Sequence, residues 1–579
     1  MRSRAAAVAA VLAGAAVQMG TGRAAADPPA PVDLAWTWIQ SQLGTGTPVV
    51  SDGASIAPDA DYPASWTGPV SGTATPPPGA TLTPAAVAVD APAAAPGSYS
   101  GVVQGHVTLP AQANRWIIQV YRDGPSGRAQ VPLQALAAPD GSFTVDLAAA
   151  GPQPAGEWAL GVLDAAAGYA PAGTAWPDPG VYDGWTVRSL VTTDVTYPID
   201  SVPLRGDGGF AFPYSPPGTK TFQLVDAAGA VHAEHAPDFG LVRSFGSPDG
   251  TDERSYTYDQ ALALITAIGL GEDAAAQQLT RGLLALQTPS GAQAGAFVEV
   301  SAARNPAAAR PIYRTGITSF AAYALLLRLQ TLPAADPTAP AVAAAATAAV
   351  DYLVGHQRAD GLIPGGSGTV QPDGSIDPAA LDWVSTEHSL DAWHTLTLAS
   401  TVLPGSGGSA AAQAAADLQS AIVSLLWNVD RFRQGLAPSG APDDTDALDA
   451  SSWGAIFLTA IGRSDLADLA LDHAALFADT DAGLSGYRPY YPQPNLPAAP
   501  SVVWLEGTAG VAVAAQRLGR TGAYDGTVAD LAAAQLASGA IPYASSTHAG
   551  AGLTSSPSIA ATAWFILAAR DGAGPIIWA

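Results

Sequence analysis

Cysteine is absent from this 579-residue chain, which excludes disulfides, thiolate metal sites and a cysteine nucleophile together. The core must hold without cross-links, and the length allows two or three domains with substantial cores. Positive charge is also scarce. Lys and Arg number 24 against 49 Asp and Glu, giving a net charge of −25 and a pI near 4.4. Such a surface repels polyanions, so nucleic acid and anionic membranes are excluded as partners. Charged residues make up only 13% of the chain, so any place where carboxylates gather stands out. There is no histidine pair at zinc spacing, no Gly-rich phosphate loop and no Gly-x-Ser-x-Gly elbow between a strand and a helix. No metal and no cofactor is expected. Asp443-Asp444-Thr445-Asp446 reads as a solvated acidic loop in preference to a Ca²⁺ or Mg²⁺ site.

Long apolar runs are missing too. Met1-Arg2-Ser3-Arg4 is a short basic start, the run from Ala5 to Met19 follows, and Ala24-Ala25-Ala26 precedes Asp27. These are the three parts of a secretory signal over residues 1–26. The run is shorter than the ~20 residues of a bilayer span, and no later segment is apolar for longer. A secreted protein with no integral membrane segment after signal cleavage is expected.

What is present changes character near residue 240. Residues 27–97 read as an N-terminal helix, Asp33 to Gln40, and a linker rich in Pro and Ala. Residues 98–235 read as β-rich. Trp116-Ile117-Ile118-Gln119-Val120-Tyr121 and Ser142-Phe143-Thr144-Val145 are short strand-like runs separated by Asp123-Gly124 and Asp140-Gly141 turns. Their spacing suggests one or more β-sandwich-like domains. From 236 to 579 the period becomes helical, with helices expected over 256–270, 273–288, 316–330, 340–357, 385–402, 410–427, 449–462, 465–478, 503–518, 523–536 and 559–570. Alternate helices carry polar and aromatic residues in their first turn and recur every 50 to 70 residues, about one helical hairpin with its loops. Leu286-Gln287, His356-Gln357 and Ala534-Gln535 are echoes that close the second helix of a hairpin. The fold expected is multidomain, a β-sandwich-like region followed by an all-α (α/α)6 toroid, with the N-terminal helix supplying a twelfth helix.

In such a toroid the inner helices run parallel and their first turns open on one face. Those turns contain Tyr258 and Asp259, Arg314, Trp383 with Glu387 and His388, Asp449 and Trp453, and Trp504 and Glu506. Aromatic faces stack on sugar C–H groups while carboxylates grip hydroxyls or move protons, so the set points to a carbohydrate substrate. Each acid has a plainer explanation as a helix cap; the convergence of four carries the functional one. Glu387 is the first choice for the acid, Asp449 or Glu506 for the base, and Asp259 for a supporting carboxylate. Tyr258, Trp383, Trp453 and Trp504 are expected to be sugar platforms, and His388 a substrate contact. Arg243 and Arg314 are expected to pair with the carboxylates in preference to holding an acidic sugar.

Gly240-Leu241-Val242-Arg243-Ser244-Phe245, Tyr256-Thr257-Tyr258-Asp259-Gln260, Ser385-Thr386-Glu387-His388, Trp453-Gly454 and Trp504-Leu505-Glu506-Gly507-Thr508-Ala509 together resemble motifs of a bacterial group in the six-hairpin glycosidase superfamily. The resemblance spans residues 240 to 570. It implies an (α/α)6 toroid and glycoside hydrolysis, and leaves the catalytic assignment to the residues themselves. A sugar epimerase or polysaccharide lyase using His388, His394 or His548, and a non-catalytic glycan-binding envelope protein, stand as the alternatives.

Overall fold

The computed structural model describes residues 30–43, most of 50–83, 102–106, most of 116–164 and of 181–246, and 252–578 apart from 334, 495, 497 and 572–575. The segment read as a secretory signal, 1–26, lies outside the described residues.

Among these residues are twelve α-helices, and they form two concentric rings. The first of each helical pair makes up the inner ring: α2 (Thr257–Leu270), α4 (Thr315–Thr331), α6 (Thr386–Val402), α8 (Leu448–Ala460), α10 (Leu505–Arg517) and α12 (Ile559–Asp571). Each packs against the next, and α12 packs back against α2, so the ring is closed. The outer helices α3 (Asp273–Ala285), α5 (Ala339–His356), α7 (Gly405–Ala421), α9 (Ser464–Ala474) and α11 (Thr521–Ala533) each lie on the inner helix that precedes them. The sixth outer place is taken by α1 (Pro31–Gln42), which packs on α12 from the other end of the sequence. This is an (α/α)6 toroid closed by its N-terminal helix.

The two rings differ in sequence because they differ in surroundings. An outer helix covers one side only, and α3 buries Ala275, Ala276, Leu279 and Leu283 at helical spacing. An inner helix is enclosed all round, and α4 buries twelve of its 17 residues. The glutamines that close outer helices explain the sequence echoes. Gln287 Nε2 donates to Gly295 O and to Ala345 O on α5, Gln357 to Gly361 O and Ala414 O on α7, and Gln535 to Gly539 O and Pro31 O on α1. Each amide satisfies a loop carbonyl and ties one hairpin to the next. The last of them latches the closure. Helix α7 departs from expectation: it starts at Gly405, with Pro404 as N-cap, so the glycine-rich run is its first turn. It then ends in a π-turn, Ile422–Leu426.

The β region also departs from expectation. The stretch read as a linker contains strands β1 (Ser55–Pro58), β2 (Val70–Thr75) and β3 (Leu82–Thr83). Small residues hid β2. Gly72 has no room for a side chain between Ala57 and Phe210, so an alternation of small residues marks close packing here. After β4 (Val102–His106), β5 (Trp116–Gly124), β6 (Gly127–Leu136), β7 (Ser142–Asp146) and β8 (Glu157–Asp164) come β9 (Val181–Thr192), β10 (Thr196–Arg205), β11 (Gly209–Phe212), β12 (Thr219–Val225) and β13 (Val231–His235). Strand β5 pairs with β6 and β8, and β4 with β7, all antiparallel. A second group is the sheet β10-β9-β12-β13, with β3 on β9, and the sheet β1-β2-β11. Val70 and Ala74 from β2, Val187 from β9, Val202 and Leu204 from β10, Phe210 and Phe212 from β11, and Phe222 and Leu224 from β12 share one core. Among the described residues no helix is long and apolar enough to cross a membrane.

Candidate active site

The first turns of the inner helices meet around a cavity of about 520 Å³, within the usual range for a small-ligand site. Asp259 comes from α2, Gly316 from α4, Glu387, His388 and Asp391 from α6, Asp449 from α8, Glu506 from α10 and Ala560 from α12. Loops between the rings complete the wall with Phe245, Glu299, Arg314, Trp383, Tyr490, Trp504 and Tyr543. Residues as far apart in sequence as Phe245 and Ala560 are collected because six parallel helices begin at one level.

Every helix N-terminus offers partial positive charge that favours an ionised carboxylate. Burial opposes this, and here it dominates. Loss of solvent holds Asp259 up to about 7, against hydrogen bonds from Ser244 and the Ala560 amide. Burial likewise raises Asp449 to about 6, even though its Oδ1 accepts from the Ala450 amide at 2.7 Å. Glu506 is pushed up to about 8 by burial, with the charges of Asp259 and Asp449 adding to it and the Tyr258 hydroxyl opposing. Glu387 stands well above the ordinary glutamate range, first through burial and then through repulsion by Asp449 and Glu506. The acids therefore have different proton affinities in one cavity, the condition for separate donor and acceptor roles.

Hydrogen bonds fix part of this set. Trp564 Nε1 donates to the Tyr258 hydroxyl at 2.9 Å, which donates to Glu506 Oε1 at 2.6 Å. The Tyr258 ring meets Phe320 edge-on, so this tyrosine positions a carboxylate as well as lining the cavity. His388 sits 5.5 Å from Trp383, ring to ring, with Nδ1 3.3 Å from Thr315 Oγ1. Burial and nearby Arg314 lower it to about 4, so the ring is neutral. Gly316 allows the close approach of α4 and α6, since a Cβ there would lie 2.4 Å from His388 Cδ2.

The structure thus brings Asp259, Glu387, Asp449, Glu506, Tyr258, Trp383, His388, Trp504 and Arg314 to one cavity. Two expected residues are elsewhere. Trp453 is buried in the hub, stacked 5.4 Å from Trp564 and edge-on to Trp578. It lies four residues beyond Asp449, about 6 Å deeper along α8, so it is core and no sugar platform. Arg243 is fully enclosed away from the cavity, where its Nε and Nη2 donate to Glu253 Oε1. Arg314 lines the cavity but pairs with none of the expected carboxylates: its Nη1 donates to the carbonyls of Tyr313, Ser367 and Gly368. In the acidic loop Asp444 pairs with Arg433, and Asp446 with Arg431 and the Tyr491 hydroxyl.

Asp391, Glu299 and Tyr543 were not singled out from sequence, whereas Tyr490 belongs to a Tyr- and Pro-rich loop that the sequence offers as a substrate-gripping lid. Asp391 had a usable signal, since it lies four residues after Glu387 on the same face of α6. Tyr490 and Tyr543 come from loops whose course only the fold reveals. The loop before helix α10 supplies Pro489 and Tyr490 to the wall.

Comparison with protein-family models finds no match to this chain, and comparison with curated proteins finds none. Solved structures are found that resemble part of it, three of them with TM-scores of 0.40 to 0.45. A glycosidase in complex with glucose is 13% identical, with a TM-score of 0.45, over 58% of this chain and 93% of its own. A D-mannose isomerase is 13% identical, with a TM-score of 0.44, over 57% and 91%. A family 76 glycoside hydrolase from a bovine Bacteroides thetaiotaomicron strain is 11% identical, with a TM-score of 0.40, over 67% and 93%.

Proposed function

We propose that the protein is a secreted glycoside hydrolase acting on a poly- or oligosaccharide. One observation carries this reading: four carboxylates from four helix N-termini, Asp259, Glu387, Asp449 and Glu506, line one cavity with aromatic walls and hold their protons with different strength. Glycoside cleavage requires a carboxylic acid that protonates the leaving oxygen and a carboxylate that activates water or attacks carbon. Glu387, kept protonated by burial and by its acidic neighbours, is the donor in this scheme. Asp449, raised by burial only to about 6, is the base. Tyr258 and Trp564 set the position of Glu506, which burial keeps protonated and which in that form hydrogen-bonds a sugar oxygen. Trp383 and Trp504 give the ring faces for stacking. The β-sandwich reading of residues 98–235 belongs to the same proposal, as a module beside the catalytic toroid. Export follows from the signal over residues 1–26, with Asp27 as the first residue of the mature chain.

The test is reducing-sugar release from α- and β-glucans, mannans and arabinans by the mature protein, Glu387→Gln and Asp449→Asn. Turnover on one polymer that falls at least ~10³-fold in each variant, with circular dichroism unchanged, is the expected result. Turnover untouched by both substitutions would defeat the assignment. A second reading rests on the neutral His388 facing the same cavity: a base of that kind suits proton abstraction in an epimerase or lyase. Deuterium uptake into recovered sugar, or an unsaturated product, would select it.

A further inference from the structure

Six carboxylic side chains line the cavity, those of Asp259, Glu299, Glu387, Asp391, Asp449 and Glu506, and among its lining residues the only Lys or Arg is Arg314. One guanidinium nitrogen of Arg314 is held by three backbone carbonyls. Asp391 differs from the other acids. It lies on α6 one turn beyond Glu387, about 6 Å farther from the helix start, and only 3% of it is exposed. Its Oδ1 has no hydrogen-bond partner. A buried polar oxygen without a partner is costly, on the order of 1–3 kcal/mol, and such atoms call for an explanation. A ligand group reaching the floor of the cavity supplies one.

We infer that the cavity is made for a glycosyl unit without negative charge, and that Asp391 is the carboxyl on its floor that holds the hydroxyls of that unit. The inference rests on reading the cavity as a carbohydrate site. A uronate or sulfated sugar would bring an anion into a low-dielectric space where Asp449, at about 6, is already ionised at pH 7, and where like charges are weakly screened. A neutral sugar brings only hydroxyls, which donate to a carboxyl in either protonation state and accept from one that is protonated. Burial and the charges of Glu387, Asp449 and Glu506 favour the protonated form of Asp391. In that form it gives one hydrogen bond and accepts others, as an asparagine amide would.

The experiment is calorimetric binding of D-glucose, D-galactose and D-mannose, each beside its uronic acid at pH 7, to the full chain. At least one neutral sugar is expected to bind, with its uronate at least thirtyfold weaker. Asp391→Ala should weaken the neutral sugar at least tenfold, and Asp391→Asn should restore it to within threefold. A uronate that binds as tightly as its neutral partner overturns the inference. So does a neutral sugar indifferent to Asp391→Ala, and so does binding of none of the six at 100 mM. The outcomes separate from those for hydrolysis. Sugar binding with these contrasts but no turnover on any glycan defeats the hydrolase reading alone. Turnover of a uronate-terminated glycan, lost in Glu387→Gln, defeats this inference alone.

Discussion

Two groups of buried charge lie in this molecule, and they are built on opposite rules. In the first, Arg243 bonds Glu253, and Arg304 reaches both Glu253 and Glu234, with all four side chains at most 3% exposed. Two cations answer two anions. Glu253 precedes strand β14 (Arg254–Tyr256), Arg304 follows its partner β15 (Val300–Ala302), and Glu234 lies on β13, so the group joins the sheet region to the toroid. In the second, the carboxyls of the cavity carry one sign and raise one another's proton affinity. A balanced buried group is explained by structure alone. An unbalanced one destabilises the fold, and such sites are where function is sought.

The comparison is broken most directly by removing one charge from each group. Arg304→Met leaves Glu234 without its cation in the interior and Glu253 with Arg243 alone, and breaking a buried pair typically costs about 3–5 kcal/mol. Urea unfolding should show a loss of that size. Glu387→Gln removes an acid from the crowded group and should leave stability unchanged or raise it. If both variants lose stability equally, the two groups are alike and the contrast is void.

A pH series sharpens the same contrast. Glu506 ionises near 8 in the folded chain against an ordinary 4.5. The native state therefore holds this proton more tightly than the unfolded chain does. Its contribution is fully present below about 4.5 and is lost as pH rises toward 8. Glu506→Gln has no proton to lose. Its stability relative to the parent should climb between pH 5 and pH 8 by on the order of 1.4 kcal/mol per pH unit, then level off. Parallel stability curves for parent and variant across that range would show that burial does not hold the proton on Glu506.

How much of this was legible beforehand follows from the same physics. Helical periodicity is local, so the inner and outer helices could be placed from the sequence, and the first-turn acids followed from the parallel ring. Closure by Asp33 to Gln40 was readable from the tryptophans of a short helix, Trp36 and Trp38, that needed a partner. The β region was harder, because strand β2 pairs with β11 some 140 residues away, and its register, Gly72 with Phe210, is set by contact across the fold. Arg243 misled because its partner, Glu253, lies in a loop that looked unrelated to a cavity drawn from helix starts. Trp453 misled for a different reason: an aromatic in the second turn of a ring helix is as much hub as mouth.

That ambiguity between hub and mouth gives the smallest expected effect. Trp453 stacks on Trp564 and meets Trp578 edge-on, and Trp578 also stacks on His394 at 4.7 Å. Trp383 instead lies half-buried on the cavity wall beside Gly365, where a Cβ would be 2.6 Å from its ring. Trp453→Phe removes atoms from a packed core and should cost about 1–3 kcal/mol of stability, with KM on the substrate polymer unchanged. Trp383→Phe keeps a ring for stacking but shrinks it. An aromatic contact of this kind is worth about 0.5–1.5 kcal/mol, so kcat/KM should fall roughly two- to tenfold while the melting temperature stays within about 2 °C. Both variants are measured for unfolding and for kcat/KM on the same preparation. Loss of kcat/KM in the Trp453 variant at unchanged stability would return that residue to the mouth, and would mean the cavity floor lies one turn deeper along α8.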